Sequence, residues 1–337
     1  VATYYDIFGQ KVQYISSDPS DVVEGQVWYN STTNVAKVQG FNPGAFSSGP
    51  ALNTATRAMF GGGTQTAAIK INGANPGTNY SSNVEEYDGS SWSEVTNTPT
   101  ATDQANRGAV GLQTATFMAG GVAPGAIQSA TYEYDGTNWT SGGAISDSRG
   151  DGAMWGVLTS AVLTGGYNDF SPPYWTNGTE EYDGTTWTAG TATPLNTTGS
   201  TGIGASETAG MIVSGREDPG NSYPGKTPQS RTLKYDGSTW TTGNAQNNAG
   251  SVRIAFGDLT AAVIAGSAAT APSTSSEIWD ATCWTSGPAL TTGHANGSGA
   301  GTGSTSGLIV GGQLPPGNIS AVDQWDKGAE TQTIATT

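Results

Sequence analysis

Two segments of this 337-residue chain gather side chains capable of recognition chemistry. Residues 167–178 read YNDFSPPYWTNG and place Tyr167, Asp169, Phe170, Tyr174 and Trp175 in one stretch stiffened by Pro172-Pro173. Residues 216–230 hold Arg216, Glu217, Asp218, Tyr223 and Lys226. Aromatic rings stack on the C–H faces of sugars while carboxylates, amides and guanidinium groups take the hydroxyls, so this mixture suits carbohydrate. The expected ligand-contacting set is Tyr167, Asp169, Phe170, Tyr174, Trp175, Arg216 and Tyr223. The commoner role of such aromatics is to pack long loops down or to contact another protein. Both readings stay open at this point.

Bond-making chemistry is sparse by comparison. His294 is the only histidine, which rules out a histidine-rich metal site, and its setting, TTGHANGSG, reads as a solvated loop. The pairs Glu85-Glu86 and Glu180-Glu181 occupy adjacent strand positions, whose side chains point to opposite faces, so neither forms an acid/base couple. Asp88, Asp135, Asp183 and Asp236 each precede a glycine in a turn, and single aspartates on separate turns do not supply the roughly six to eight oxygens that calcium takes. Cys283 has no partner for a disulfide and, beside Trp284, reads as a small buried hydrophobe. No catalytic residue, metal or cofactor is expected.

The elements that must carry these loops are announced by a repeat. YDGTTW at 182–187 has near-copies at 87–92 (YDGSSW), 134–139 (YDGTNW) and 235–240 (YDGSTW), and a degenerate one at 279–284 (WDATCW). Asp-Gly flanked by aromatics is a hairpin signal. The tryptophans at 92, 139, 187, 240 and 284 stand 47, 48, 53 and 44 residues apart, a period that points to repeated small sheets. Between them recurs an inner hairpin ending in small residues: AAIKING at 67–73, ATFMAGG at 115–121, SAVLTGG at 160–166, AGMIVSG at 209–215, AAVIAGS at 261–267 and SGLIVGG at 306–312. An inner and an outer hairpin make a four-stranded antiparallel blade. Small residues suit strands near an axis where blades converge, and large aromatics suit the wider gaps outside. Phe46, Tyr87, Trp92, Tyr134, Trp139, Tyr182, Trp187, Tyr235, Trp240, Trp279 and Trp284 are therefore assigned to the repeat core.

The glycine pairs, the Tyr-Asp step and the tryptophan five residues after the tyrosine resemble kelch-type β-propeller repeats over residues 41–326. The resemblance implies an all-β, six-bladed propeller. Asn72-Gly73, Ser214-Gly215 and Gly266-Ser267 depart from a full glycine pair, and no outer tryptophan follows Trp325-Asp326. The last repeat thus supplies three strands, near 298–305, 306–312 and 319–326, and Ala45–Gly49 is expected to be its fourth, closing the ring and removing exposed edges. A seven-bladed ring using residues 10–49 is the alternative. A copper oxidase of the galactose-oxidase kind, which kelch repeats also bring to mind, needs more than one histidine. A sialidase-like enzyme needs an arginine cluster. Arg57, Arg107 and Arg253 stand near first strands and could approach a central channel, but their expected role is to bond blade-edge carbonyls. The step from Asp88 to Trp92 is also one residue shorter than the sialidase Asp-box.

In such a blade the loop from second to third strand and the link to the next blade share one face. Length varies there, at 74–83, 122–129, 167–178, 216–230 and 268–275, while the other face keeps short turns such as 111–113 and 135–138. Variable loops on a rigid frame commonly bind.

Residues 1–40 lie outside the repeat and read as an N-terminal β arm: a strand at 11–15, a loop at 17–25 and a hairpin over 26–38 that turns through 30–34. Their wording, GQKVQYISSDPS and then VEGQVWYNSTTNVAKV, resembles the N-terminal segment of virion proteins of marine bacteriophages. Residues 327–337 read as a peripheral tail. Fifty glycines, 35% hydrophobic residues and 12% charge fit a turn-rich β protein, and no run reaches the roughly 18 apolar residues of a membrane span. A net charge of −15 disfavours nucleic acid as a partner.

Together these features lead to an expectation of a non-enzymatic phage virion structural protein, a tail fibre, tail-associated or capsid decoration protein, present in many copies. It would be tethered to other virion proteins by the arm and would present its propeller to a host glycan or receptor, at the virion surface or outside the cell. A free extracellular lectin-like propeller is the first alternative and a glycan-cleaving enzyme the second.

Overall fold

The computed structural model describes residues 12–19, 26–40, 44–168, 174–217, 227–268, 273–328 and 330–334. Among them every regular element is a strand. The chain divides into two compact units, one of Val1–Gly44 with Lys327–Thr337 and one of Ala45–Asp326.

The smaller unit is a four-stranded sheet ordered Gln13–Ile15, Val27–Asn30, Val35–Gly40, Glu330–Ile334. Asn30 pairs with Val35 across the expected turn, where Asn34 is left-handed and the Asn30 Oδ1 accepts the N–H groups of Thr32 and Thr33. Asp18 pins the loop: it accepts hydrogen bonds from the buried Trp28 Nε1 at 2.9 Å, Asn30 Nδ2 at 2.8 Å and Lys37 Nζ at 2.5 Å. Those donors hold its carboxyl down at about 2. The tail, read from sequence as peripheral, supplies the edge strand here by pairing antiparallel with 35–40. TQTI alternates too briefly to declare itself a strand, and only its cross-chain partner makes it one.

The larger unit is an all-β, propeller-like array of small antiparallel sheets. Its first sheet runs Phe60–Thr64, Ala67–Asn75, Thr78–Tyr87, Trp92–Glu94; the third Ala153–Val157, Ser160–Thr164, Thr179–Tyr182, Trp187–Gly190. The fourth runs Thr197–Ser206, Ala209–Glu217, Thr232–Tyr235, Trp240–Gly243, and the fifth Ile254–Gly257, Ala262–Ala265, Ser276–Trp279, Trp284–Ser286. In the second sheet Thr116–Ala119, Thr131–Tyr134 and Trp139–Ser141 are regular, and the innermost place is held by residues 107–110, which bridge in parallel to both neighbouring first strands. The sixth consists of Ser298–Ala300, Ser306–Leu314, Gly317–Asp326 and, as its outer strand, Ala45–Gly49. The pair Trp325 and Phe46 takes the same register as Tyr87 with Trp92 and Tyr182 with Trp187.

Six aromatic pairs of this kind stand with ring centroids 4.7–5.1 Å apart. The third-strand member is always buried; of the partners, Trp92 and Trp284 are buried, and Phe46, Trp139, Trp187 and Trp240 are half-buried. The residue just before each third-strand aromatic reaches the aromatic of the next sheet. Tyr182 donates to Glu133, Tyr235 to Glu181, the Gln324 amide donates to the Tyr87 hydroxyl, and Lys234 lies 4.6 Å over the Trp279 ring. Burial, and then the carboxylate beside them, raises the Tyr182 and Tyr235 phenols well above their ordinary range.

Inner strands approach too closely for side chains at some positions. A Cβ on Gly62 would lie 2.0 Å from the Val110 carbonyl oxygen, and one on Gly299 2.1 Å from that of Ala255. Yet the inner strands are not uniformly small. Trp155 stands fully buried in a first strand, because Gly210 of the next sheet leaves the space its indole fills.

Candidate functional site

One left-handed residue stands at the entry to each first strand. Ala58, Gln104, Asp151, Gly199, Val252 and Asn296 have φ between 48° and 63°. Their backbones are linked from sheet to sheet: Asp151 N–H donates to the Gln104 carbonyl, Gly199 to Asp151, Val252 to Gly199, Asn296 to Val252 and Ala58 to Asn296, at 2.7–3.0 Å. The N–H of Ala105, next to Gln104, donates to Ala58 at 3.2 Å and completes the circuit. The left-handed turn aims each N–H at the preceding sheet, which explains why residues as ill-suited as Val252 hold it.

Behind this circuit lie buried carboxylates, each two residues before a third-strand aromatic. Glu85 accepts the N–H groups of Asn53 and Thr54, Glu180 that of Ser146, Glu277 those of Asn247 and Asn248, and Asp323 those of Thr291 and Thr292. Each also faces a buried cation or histidine: Lys70 at 3.9 Å, Arg149 at 2.6 Å, Arg253 at 3.4 Å and His294 at 2.9 Å, respectively. Burial lowers Lys70 to about 8 and raises Glu85. Burial pushes Asp323 up, but the hydrogen bonds from His294 and Thr291 outweigh it and hold its carboxyl low. These clamps fasten the link between successive sheets to the sheet it is about to enter.

Three expectations are corrected here. His294 is not a solvated loop residue: it is fully buried between the Gly311 carbonyl at 2.7 Å and Asp323. Its partner lies 29 residues on, in a different strand, beyond the reach of a local reading. Cys283 is exposed, because it ends the turn whose Asp280 accepts its N–H, one position before the strand that buries Trp284. The residues 74–83, read as a variable loop, extend the hairpin of Ala67–Asn75 and Thr78–Tyr87 almost to its tip.

Within the circuit lies a cavity of about 540 Å³. Arg107 forms its floor: Nε donates to Asp151 Oδ1 at 2.9 Å and the other guanidinium nitrogens reach Asp151 and the Asn296 side chain, while Asp151 Oδ2 accepts from Thr198 Oγ1 at 3.0 Å. Arg57, Arg216, Gln104, Gln313, Tyr167, Tyr174 and Trp175 contribute to the walls. They come from the links between sheets, the starts of first strands, the ends of second strands and the second-to-third connections, so the cavity is on the face that carries the length variation.

Of the ligand-contacting set read from sequence, Tyr167, Tyr174, Trp175 and Arg216 are thus brought together, whereas Asp169, Phe170 and Tyr223 lie outside the described residues. Trp175 is only 4% exposed and its backbone bridges to Tyr167, so the loop aromatics are partly committed to packing. The arginines regroup. Arg253 is sealed against Glu277 and the Asn248 carbonyl, and Arg216 takes the place beside Arg57 and Arg107 that sequence had offered it. Gln104, Asp151, Thr198, Val252, Asn296 and Gln313 carried no motif; the one trace of the left-handed positions is that they recur with the period of the tryptophans.

No protein-family model matches the chain, and no curated protein sequence matches it. Solved structures do match. YjhT is similar with a TM-score of 0.65 at 13% identity, covering 86% of this chain and 97% of YjhT. At that identity the likeness is one of fold alone.

Proposed function

We propose that Ala45–Asp326 is a closed six-bladed kelch-like propeller, its last blade completed by Ala45–Gly49, and that the chain is a non-enzymatic structural protein of a bacteriophage virion. The complete circuit of backbone hydrogen bonds through six left-handed residues supports the ring and its blade number. The phage-like wording of residues 9–38 carries the virion assignment. In this reading the arm binds neighbouring virion proteins, many copies sit side by side, and the variable-loop face meets a host glycan or receptor, where repeated weak contacts act multivalently. The histidine and one of the three arginines that chemistry would call on, Arg253, are committed to buried clamps, which favours recognition over cleavage.

Immunogold electron microscopy with antibody against residues 41–326 tests the reading. Gold on tails or capsids is expected, and so is loss of incorporation when residues 1–40 are deleted. Gold confined to soluble material overturns the virion role and promotes the second reading, a free extracellular lectin-like propeller, which the cavity's arginines, amides and tyrosines favour in their own right.

A further inference from the structure

We propose that the cavity inside the left-handed circuit binds the carboxylate-bearing unit of an acidic saccharide, of the uronic-acid class. The inference rests on the recognition reading above and specifies its ligand. Charge is the first argument. The chain carries −15 overall, yet among the described residues three of its six arginines line this one cavity against one carboxylate, Asp151. Arg107 already uses that carboxylate, whereas Arg57 and Arg216 have no salt-bridge partner among the described residues. Asp103 lies near Arg57, and burial raises its carboxyl above the ordinary range while Arg57 and Arg107 act to lower it. A cavity with two guanidinium groups that no described carboxylate pairs, in a strongly acidic protein, attracts an anion that the remaining surface repels.

Shape and lining narrow the anion. The volume, about 540 Å³, falls in the range of small-molecule pockets and suits one or a few sugar units. Gln104 and Gln313 offer amide donors and acceptors for hydroxyls, and Tyr174 a ring face, which a bare inorganic anion would leave unused. Gln104, Asp151, Val252 and Asn296 are fixed in advance by the backbone circuit, which lessens the ordering that accompanies binding.

The test is calorimetric titration of the full chain with galacturonate, galactose and sulfate. Binding of galacturonate at least tenfold tighter than either of the others is expected. Equal binding of galactose overturns the charge argument, equal binding of sulfate overturns the saccharide, and absence of binding by galacturonate overturns both. Arg216→Gln, at a half-exposed site, is expected to weaken galacturonate about tenfold or more, with thermal melting confirming the fold. Gln104→Glu adds a carboxylate at an exposed wall without changing shape, and should weaken galacturonate while leaving the melting temperature in place. An unchanged affinity in Gln104→Glu sinks the proposal even if Arg216→Gln fails to fold. Binding of galacturonate by a chain absent from particles would retain this inference and remove the virion role; gold on particles with no galacturonate binding would do the reverse.

Discussion

The two faces of the propeller-like unit are built from the same repeats and satisfy their polar groups by opposite means. On the turn face Asp88, Asp135, Asp183, Asp236 and Asp280 each use one oxygen to accept the N–H groups two and three residues ahead, at 2.7–2.9 Å. Each turn is self-contained, and the small cavity on that side, about 120 Å³, is lined largely by glycines. On the loop face the carboxylates are buried and their partners come from distant parts of the chain. Local satisfaction leaves a face free to stay uniform; satisfaction across repeats makes each sheet's connection answer to its neighbour, and there the sequence varies and a larger cavity forms.

The largest effect should come from breaking a loop-face clamp. Glu277→Ala strands Arg253, which is 1% exposed, and removes the acceptor for two backbone N–H groups. A loss of about 3–5 kcal/mol is expected in urea unfolding. The double change Arg253→Met with Glu277→Leu should cost much less, because no charge remains buried and unpaired. A loss below about 1 kcal/mol for the single change would mean that the loop face is held by something other than these clamps.

The same contrast sets what could be read from sequence. YDGTTW and its copies are local chemistry: an aspartate, a glycine and an aromatic within six residues specify the turn and the strands flanking it, so the core aromatics and the place of Ala45–Gly49 were legible. The clamps were not. Glu85, Glu180 and Glu277 look like surface strand carboxylates until Lys70, Arg149 and Arg253 arrive from other strands or links. The arginine grouping failed for a related reason. Arg57 stands one residue before a left-handed position, Arg253 one after and Arg107 three after, so equal placement near first strands does not give equal direction. Arg216 reaches the cavity from the end of a second strand, where no repeat marks it.

Backbone strain offers a smaller and signed comparison. On the turn face the left-handed place falls to glycine: Gly136 has φ +92°, and an added Cβ would meet Thr114 only at an ordinary 3.4 Å. Gly136→Ala should therefore cost about 1–2 kcal/mol through conformation alone. On the loop face Gln104 holds φ +48° with an exposed side chain. Gln104→Asn, which suits that conformation better, should gain about 0.5 kcal/mol. Loss in Gln104→Asn would show that the glutamine side chain stabilises the circuit, and the two faces would then differ less than their backbones suggest.

The smallest effect is the most diagnostic of local satisfaction. The N–H groups and hydroxyls of Thr239 and Ser238 hold the Asp236 carboxyl well below its ordinary range, and the corresponding contacts of Ser90 and Ser91 hold Asp88 at about 2. A carboxyl depressed in the folded state contributes stability that is complete above its unfolded value, about 3.9, and that disappears as pH falls through the folded value. The melting-temperature gap between the parent and Asp236→Ala should thus be widest near pH 6 and shrink steadily below about pH 4. Clamp variants behave otherwise, since the buried Arg253 stays stranded whichever way the solvent titrates. A gap for Asp236→Ala that stays constant down to pH 2.5 would mean that the turn depends on the shape of the aspartate and not on its charge, and the turn face would then owe its uniformity to backbone geometry alone.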